Sequence, residues 1–151
     1  SVSVGIAGGV IKDFTVQMKE RQSRFGNSVA EFQSLQLRLA ESAVEYDTAR
    51  KIVLSDLQET LSILRDEEDI SPELHARNRR DMAYCPRLAQ AAVDRLFYAA
   101  GAGGLFLDGN LQRQFRDVHA GGAQVFLNWD INATAYGRAI LGLEQQGLIG
   151  P

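Results

Sequence analysis

"VAEFQSLQLRLAESAVEYDTARKIVLSDLQETLSILR", residues 29–65, is the stretch that decides the fold. Its apolar side chains recur in steps of three and four: Phe32, Leu35, Leu39, Ala43, Tyr46, Ala49, Val53, Leu57, Leu61 and Leu64. That is the period of an α-helix, in which residues three and four apart share one face. A helix from Val29 to about Arg65 would be roughly 55 Å long at 1.5 Å per residue. Such a length suits a bundle whose helices also pack against neighbouring subunits. The opposite face agrees, since it still carries Leu37, Val44, Ile52, Leu54 and Ile63. That is more apolar surface than one bundle stripe requires.

Working outward, residues 2–20 allow a first helix with Val4, Ala7, Ile11, Phe14 and Met18 on one side. Gly5, Gly8 and Gly9 either loosen its start or permit close packing there. "RQSRFGN" (21–27) breaks it, with Gly26-Asn27 as the turn signal. "RDEEDISPE" (65–73) ends the second helix and starts the third: Ser71 is placed as N-cap, Pro72 at the first helical position and Glu73 near the positive helix end. The third helix is expected to run to about Ala100 through Leu74, Met82, Cys85, Ala89, Ala92, Leu96 and Ala99, with a kink at Pro86. After the irregular "GAGGLFLDGN" (101–110), a fourth helix is predicted from about Leu111 to Leu141, interrupted or bent at Gly121-Gly122. Convincing strand signals are absent. Four amphipathic helices joined by short connections predict an all-α, antiparallel four-helix bundle, with residues 1–151 as a single domain.

Composition narrows the partners. The 151 residues are 45% apolar and 23% charged with a net charge of −3, an ordinary globular balance. Nothing in that charge suggests a nucleic-acid partner, and "RNRR" (77–80) reads as a solvated helix face. The single cysteine, Cys85, cannot form an internal disulfide and favours a reducing, cytoplasmic setting. No apolar run approaches the roughly 18 residues of a membrane span. The chain opens abruptly on "SVSVGIAGGV" without an initiator methionine, and reads as the inside of a larger protein.

Each candidate chemistry has a plainer reading beside it. Di-iron bundles require Glu-x-x-His pairs, and this sequence has none. His75 and His119 lie on different elements with no second histidine near either, so no metal is expected. The acidic run Asp66 to Asp69 reads as a solvated loop. Cys85 beside Pro86 reads as a buried structural thiol. "GAGGLF" is glycine-rich enough to cradle a phosphate, but it follows a helix where a dinucleotide fold needs a strand. In "LQRQFRDVHAGGAQVF" (111–126), His119 is either a hydrogen-bonded structural residue or a catalytic one. Arg21 and Arg24 beside Phe25 are either solvated charges or a pair for a phosphate.

Two stretches then carry a resemblance. "RFGNSVAEFQSLQLRLAE" (24–41) resembles the opening of the second bundle helix in the carboxy-terminal domain of acyl-CoA dehydrogenases. "FYAAGAGGLFLDGNLQRQFRDVHAGGAQ" (97–124) resembles that domain's glycine turn and last helices: Gly101 to Gly104, then Asp108, Arg113 and Arg116-Asp117. Where dehydrogenases often carry a catalytic glutamate, this chain has Val125, which cannot abstract a proton. Gln22 stands where many dehydrogenases have an arginine. "RDVHAGGAQVFLNWD" looks more like the flavin-dependent two-component monooxygenases of the same fold, the 4-hydroxyphenylacetate hydroxylase branch, several of which have a histidine where this chain has Gln124.

That resemblance implies the carboxy-terminal part of a larger flavoenzyme, preceded by a helical and a β-rich domain. It implies reduced FMN or FAD from a separate flavin reductase, oxygen, an aromatic substrate and a homo-oligomer, with a tetramer expected. The implied flavin neighbours are Arg21, Arg24, Phe25, Tyr98, Gly101, Gly103 and Gly104. Gln124 and His119 are the implied catalytic residues, with Gly121-Gly122 bending the last helix past the reacting pair. The alternatives are an acyl-CoA dehydrogenase relative with its base elsewhere and a non-catalytic oligomerisation bundle.

Overall fold

The long periodic stretch forms α2, Gln33–Arg65, in the computed structural model, which describes residues 1–106 and 109–144. It begins at Gln33 rather than Val29 because Val29–Glu31 form a separate 3₁₀ turn, onto which Gln36 folds back by donating to the Ala30 carbonyl at 2.9 Å. α1 is Val2–Glu20 and α3 is Pro72–Ala100. The Ser71 side chain accepts from the Leu74 amide at 3.1 Å, capping α3 as its sequence predicts. α3 continues through Pro86 without interruption. After a 3₁₀ turn at Gly101–Leu105, the expected fourth helix is two helices: α4, Asn110–Gly122, and α5, Trp129–Ile140. No strand occurs among the described residues; an isolated bridge between Gln22 and Ser28 closes the turn after α1.

α3 is the central helix, packed against α1, α2, α4 and α5, while α1 also touches α2 and α4. The core joins Val4, Ala7, Val10, Phe14 and Met18 of α1 to Leu35 and Ala49 of α2, to Cys85, Ala89, Val93, Leu96 and Ala100 of α3, and to Leu111 and Val118 of α4. Each large aliphatic or aromatic side chain there contributes about 1.5–3 kcal/mol by leaving water. Alanines along α3 let α2 approach closely enough for Ser42 Oγ to donate to the Ala92 carbonyl at 3.1 Å. The Cys85 thiol points at the Ala49 carbonyl at 3.5 Å.

Two sequence expectations change. Leu57, Leu61 and Leu64, placed on the inner stripe by period alone, are exposed, as is Phe32. There α2 meets α3 through polar side chains instead, with Glu59 bound to Arg77 and Thr60 accepting from Asn78 at 2.9 Å. The "RNRR" face is likewise not merely solvated. Arg79 reaches Asn132 of α5 at 3.0 Å, and Arg80 pairs with Asp81 at 2.7 Å and lies over the Tyr136 ring.

Candidate functional site

The first candidate wall lies where α1 and α3 end together. Arg21 terminates α1 in extended backbone, and its Nη1 donates to the Ala100 carbonyl at 3.0 Å, tying the two helix ends. Gly101 then takes φ 64°, a left-handed value that a side chain would resist, and stops α3 by turning its amide onto the Tyr98 carbonyl. The chain doubles back so tightly that a Cβ on Gly104 would lie 3.3 Å from both the Ala100 Cβ and the Phe97 carbonyl. The result is a cleft of about 450 Å³ lined by Arg21, Gly103, Gly104 and Gly109, with Gln17 and Glu20 on the α1 side. Three of the sequence-derived residues, Arg21, Gly103 and Gly104, therefore meet.

Gly101, Arg24, Phe25 and Tyr98 do not line this cleft; all are exposed beside it, Phe25 at 88% and Tyr98 at 76%. Asp108 lies outside the described residues. Arg116 and Asp117 are exposed on α4.

The second candidate wall is the segment between α4 and α5. α4 stops when the Ala123 amide returns to the Ala120 carbonyl at 3.2 Å. Val125–Leu127 then form a 3₁₀ turn between Gln124 and Asn128, with Leu127 N–H donating to the Gln124 carbonyl at 2.9 Å and Asn128 N–H to the Val125 carbonyl at 3.0 Å. This strap presents Gln124, Val125 and Phe126 outward, all exposed. Behind it lies a cleft of about 440 Å³ whose lining includes Pro86, Arg87, Gln90, Gln124, Val125 and Trp129. Trp129 packs on Tyr84 with centroids 5.2 Å apart, and the Arg87 guanidinium sits 5.4 Å from the indole. Among the described residues, no carboxylate lines this cleft.

Gly121 and Gly122 do not bend a continuing helix. They end α4 and let it sit close to its neighbours: a Cβ on Gly121 would lie 3.0 Å from Ser3 Oγ, and one on Gly122 would overlap the Gln90 amide.

His119 is not part of the strap cleft. Its Nδ1 lies 2.7 Å from the Phe115 carbonyl, which can only accept, so Nδ1 carries a hydrogen. Its Nε2 faces Asp94 Oδ1 of α3 at 3.2 Å, and its ring leans on Phe115 at 4.7 Å. Nδ1 is thus engaged within α4 and only Nε2 faces α3, an arrangement that agrees with the structural reading of this histidine. No group of three or more His, Cys, Asp or Glu residues is arranged for a metal among the described residues. Burial pushes the Cys85 thiol up to about 11, and the side chain is fully enclosed.

The sequence reading passed over Asn132, which is completely buried in α5 and binds the strap from beneath. Its signal was available: Asn128 and Asn132 are four apart, on one face of a helix that begins at Trp129. Treating 111–141 as one helix hid that start.

Comparisons with known proteins agree with this architecture. Residues 1–129 match the family described as acyl-CoA dehydrogenase, C-terminal domain, and the chain belongs to that family. It is 31% identical over 156 residues to the FADH(2)-dependent resorcinol hydroxylase oxygenase component of Rhizobium sp. (strain MTP-10005), covering 97% of this chain and 38% of that protein. It is also 31% identical over 145 residues to the p-hydroxyphenylacetate 3-hydroxylase oxygenase component of Acinetobacter baumannii, covering 95% and 34%. The crystal structure of 3-HSA hydroxylase from Rhodococcus sp. RHA1 superposes with a TM-score of 0.88 at 26% identity, over 97% of this chain and 37% of that one. The chain therefore spans little more than a third of the length of these relatives.

Proposed function

We propose that this chain is the carboxy-terminal helical domain of the oxygenase component of a two-component flavin monooxygenase acting on a phenolic or related aromatic substrate. The observation that carries this reading over a dehydrogenase is the strap cleft without a carboxylate. Removing the α-proton of an acyl thioester requires a base at hydrogen-bond reach, and Gln124, Val125, Asn128 and Trp129 offer none. An aromatic hydroxylation needs instead an apolar, water-poor wall with few polar groups that orient. The names of both whole-chain relatives support the same class.

The flavin, FMN or FAD, fits the first wall in its chemistry. Arg21 brings a positive charge, set against the Glu20 carboxylate, to a cleft whose glycines let backbone approach closely, and the guanidinium nitrogens not spent on the Ala100 carbonyl suit a phosphate or pyrophosphate. Gly101 shapes the turn, Arg24 adds a second cation, and Phe25 and Tyr98 are exposed flat rings ready to pack on a cofactor or on a neighbouring subunit. Reduced flavin, when bound, supplies the two electrons that let one atom of O2 enter the ring while the other leaves as water. A separate reductase provides it. On the strap, Gln124 can donate or accept a hydrogen bond without titrating near neutral pH, and the exposed Val125 and Phe126 offer apolar surface that a substrate or a neighbouring domain would cover. His119 holds α4 against α3 behind the strap. The exposed face of α2 is read as the contact of a homo-oligomer, with a tetramer expected.

The test uses the full-length protein with reduced flavin, oxygen and a phenol, following the hydroxylated product. Gln124→Leu removes one orienting hydrogen bond worth about 1–2 kcal/mol, so the fraction of reduced flavin lost as hydrogen peroxide should rise roughly 5- to 30-fold relative to product. Anaerobic bleaching of oxidised flavin by an acyl-CoA, with no oxygen-dependent product, would establish the dehydrogenase reading instead.

A further inference from the structure

Asn132 is an oddity on physical grounds. It is completely buried, at 0% exposure, at the end of the first turn of α5, where an apolar side chain would be the ordinary occupant. Asparagine is also a poor helix former, because its amide competes for backbone groups. Its environment shows what the amide does. Nδ2 donates to the Phe126 carbonyl at 3.0 Å and to the Asn128 carbonyl at 2.7 Å, and Oδ1 accepts from Arg79 Nε at 3.0 Å. Two of these partners belong to the strap and its boundary with α5, and the third comes from the central helix α3.

We infer that Asn132 is a positioning residue that fixes the strap, and through it the placement of Gln124. The strap's own bonds hold it only internally: Leu127 N–H to the Gln124 carbonyl and Asn128 N–H to the Val125 carbonyl close the turn on itself. Asn128 Oδ1 caps the Ile131 amide at 3.1 Å and so orients the start of α5, not the strap. The strap also packs on α3, but the hydrogen-bonded link that refers its backbone to the rest of the bundle is the Phe126 carbonyl–Asn132–Arg79 chain. A leucine has the same branched heavy-atom skeleton but bulkier methyl ends, and would leave the Phe126 carbonyl and the Arg79 Nε–H without these partners. The strap would then keep its turn and its packing on α3 but lose its hydrogen-bonded reference to α3, displacing the exposed Gln124 side chain by the small distance that matters at a reacting centre. The catalytic consequence rests on the hydroxylase reading above; the mechanical link does not.

Asn132→Asp is the diagnostic substitution. It keeps the shape and the acceptor toward Arg79, and replaces both donated bonds with oxygen facing oxygen. Trp129, the single tryptophan of these 151 residues, sits at the strap's end and reports on it once any tryptophan elsewhere in the full-length protein is replaced by phenylalanine. In the full-length protein, Asn132→Asp should keep its helical content, raise acrylamide quenching of Trp129 about twofold or more, and raise the peroxide fraction toward that of Gln124→Leu. Gln124→Leu alone should raise peroxide and leave Trp129 quenching as in the parent. The double variant should waste no more flavin than the worse single one, since both act through one side chain. Additive peroxide losses, or normal Trp129 quenching in a folded Asn132→Asp protein, overturn the inference. Should that variant fail to fold, Arg79→Met decides: it removes only the anchor on Oδ1 and should move quenching and peroxide in the same direction, and no change in either overturns the link. A parent that hydroxylates nothing defeats the functional reading alone, and Trp129 quenching then still decides whether Asn132 holds the strap.

Discussion

At the scale of single residues, the glycines of α1 separate two uses of the same residue type. A Cβ on Gly5 would meet nothing within 4 Å, whereas one on Gly8 would lie 2.8 Å from Tyr46 Cε2 and 2.9 Å from Cζ. Gly5→Ala should therefore stabilise the protein by about 0.5–1 kcal/mol, the ordinary gain of alanine over glycine in a helix. Gly8→Ala receives the same gain but must push a rigid ring out of the α1–α2 contact, at about 1–3 kcal/mol. It should therefore be neutral to destabilising, so that thermal unfolding ranks it well below Gly5→Ala; equal midpoints would mean that the Tyr46 ring is not held there. Replacing Tyr46 with leucine should remove most of that difference. Both glycines look alike in the sequence, where "GIAGG" says only that the helix start is loose or tightly packed. Cys85 was easier to read, since an apolar helical frame around a thiol implies burial. With its pKa near 11 and its side chain enclosed, it should resist thiol reagents at pH 7–8 until the protein unfolds.

At the scale of elements, α2 and α3 are joined by charge as much as by their alanines. Arg95 meets Glu45 through two bonds at 2.5 and 2.8 Å, touches Ser42 at 3.2 Å, and lies 3.0 Å from Glu41. Arg95 and Glu45 are about four-fifths buried, so Arg95→Ala strands a carboxylate and should cost about 2–3 kcal/mol by denaturant unfolding, somewhat under the figure for a fully buried pair. Asp56, farther along α2, has the opposite balance. Burial first, then repulsion from Asp81, raises its carboxyl above the ordinary range, while Arg77 is bound to Glu59 and helps only across 3.9 Å. A raised folded pKa means that the native state favours the protonated acid. That contribution is complete below the ordinary aspartate range and is lost as pH rises through the folded value. Asp56→Asn should accordingly raise the melting temperature at pH 7, with the gain vanishing as pH falls toward 3. None of these pairs could be read from the sequence, because periodicity assigns a face to a residue and not a partner to a charge. The helices themselves were legible: Ser71-Pro72-Glu73 gave the start of α3, and the step of three and four gave α2. What failed was the extent of each face. Leu57, Leu61 and Leu64 continue the inner stripe of α2, yet among the described residues their neighbours on α3 are polar.

At the scale of the whole molecule, that overhang has a consequence. Leu54, Leu57, Leu61 and Leu64 are each between 42% and 54% exposed and follow one another at spacings of three, four and three residues, the pattern of a helix seam. Leu37 and Val44, both 63% exposed, lie on a different side of α2. A run of four exposed leucines along one helix is unusual on a monomer, where exposed leucines are scattered singly. The Arg77–Glu59 and Asn78–Thr60 contacts lie along the same part of the helix, so α2 is held in place from one side and offers its leucines on another. The homo-oligomer proposed above would, if it formed through this seam, account for a helix that outruns the core its own chain provides. Replacing Leu57 and Leu61 together with glutamate should leave helical content within a few per cent, since neither side chain is in the core. The same change should lower the assembly state of the full-length protein in sedimentation, because like charges would face each other across a two-fold contact. Gln124→Leu is the matched control and should leave assembly untouched. A parent protein that sediments as a monomer at high micromolar concentration, or a double glutamate variant that assembles as the parent does, would place the subunit contact elsewhere or remove it altogether.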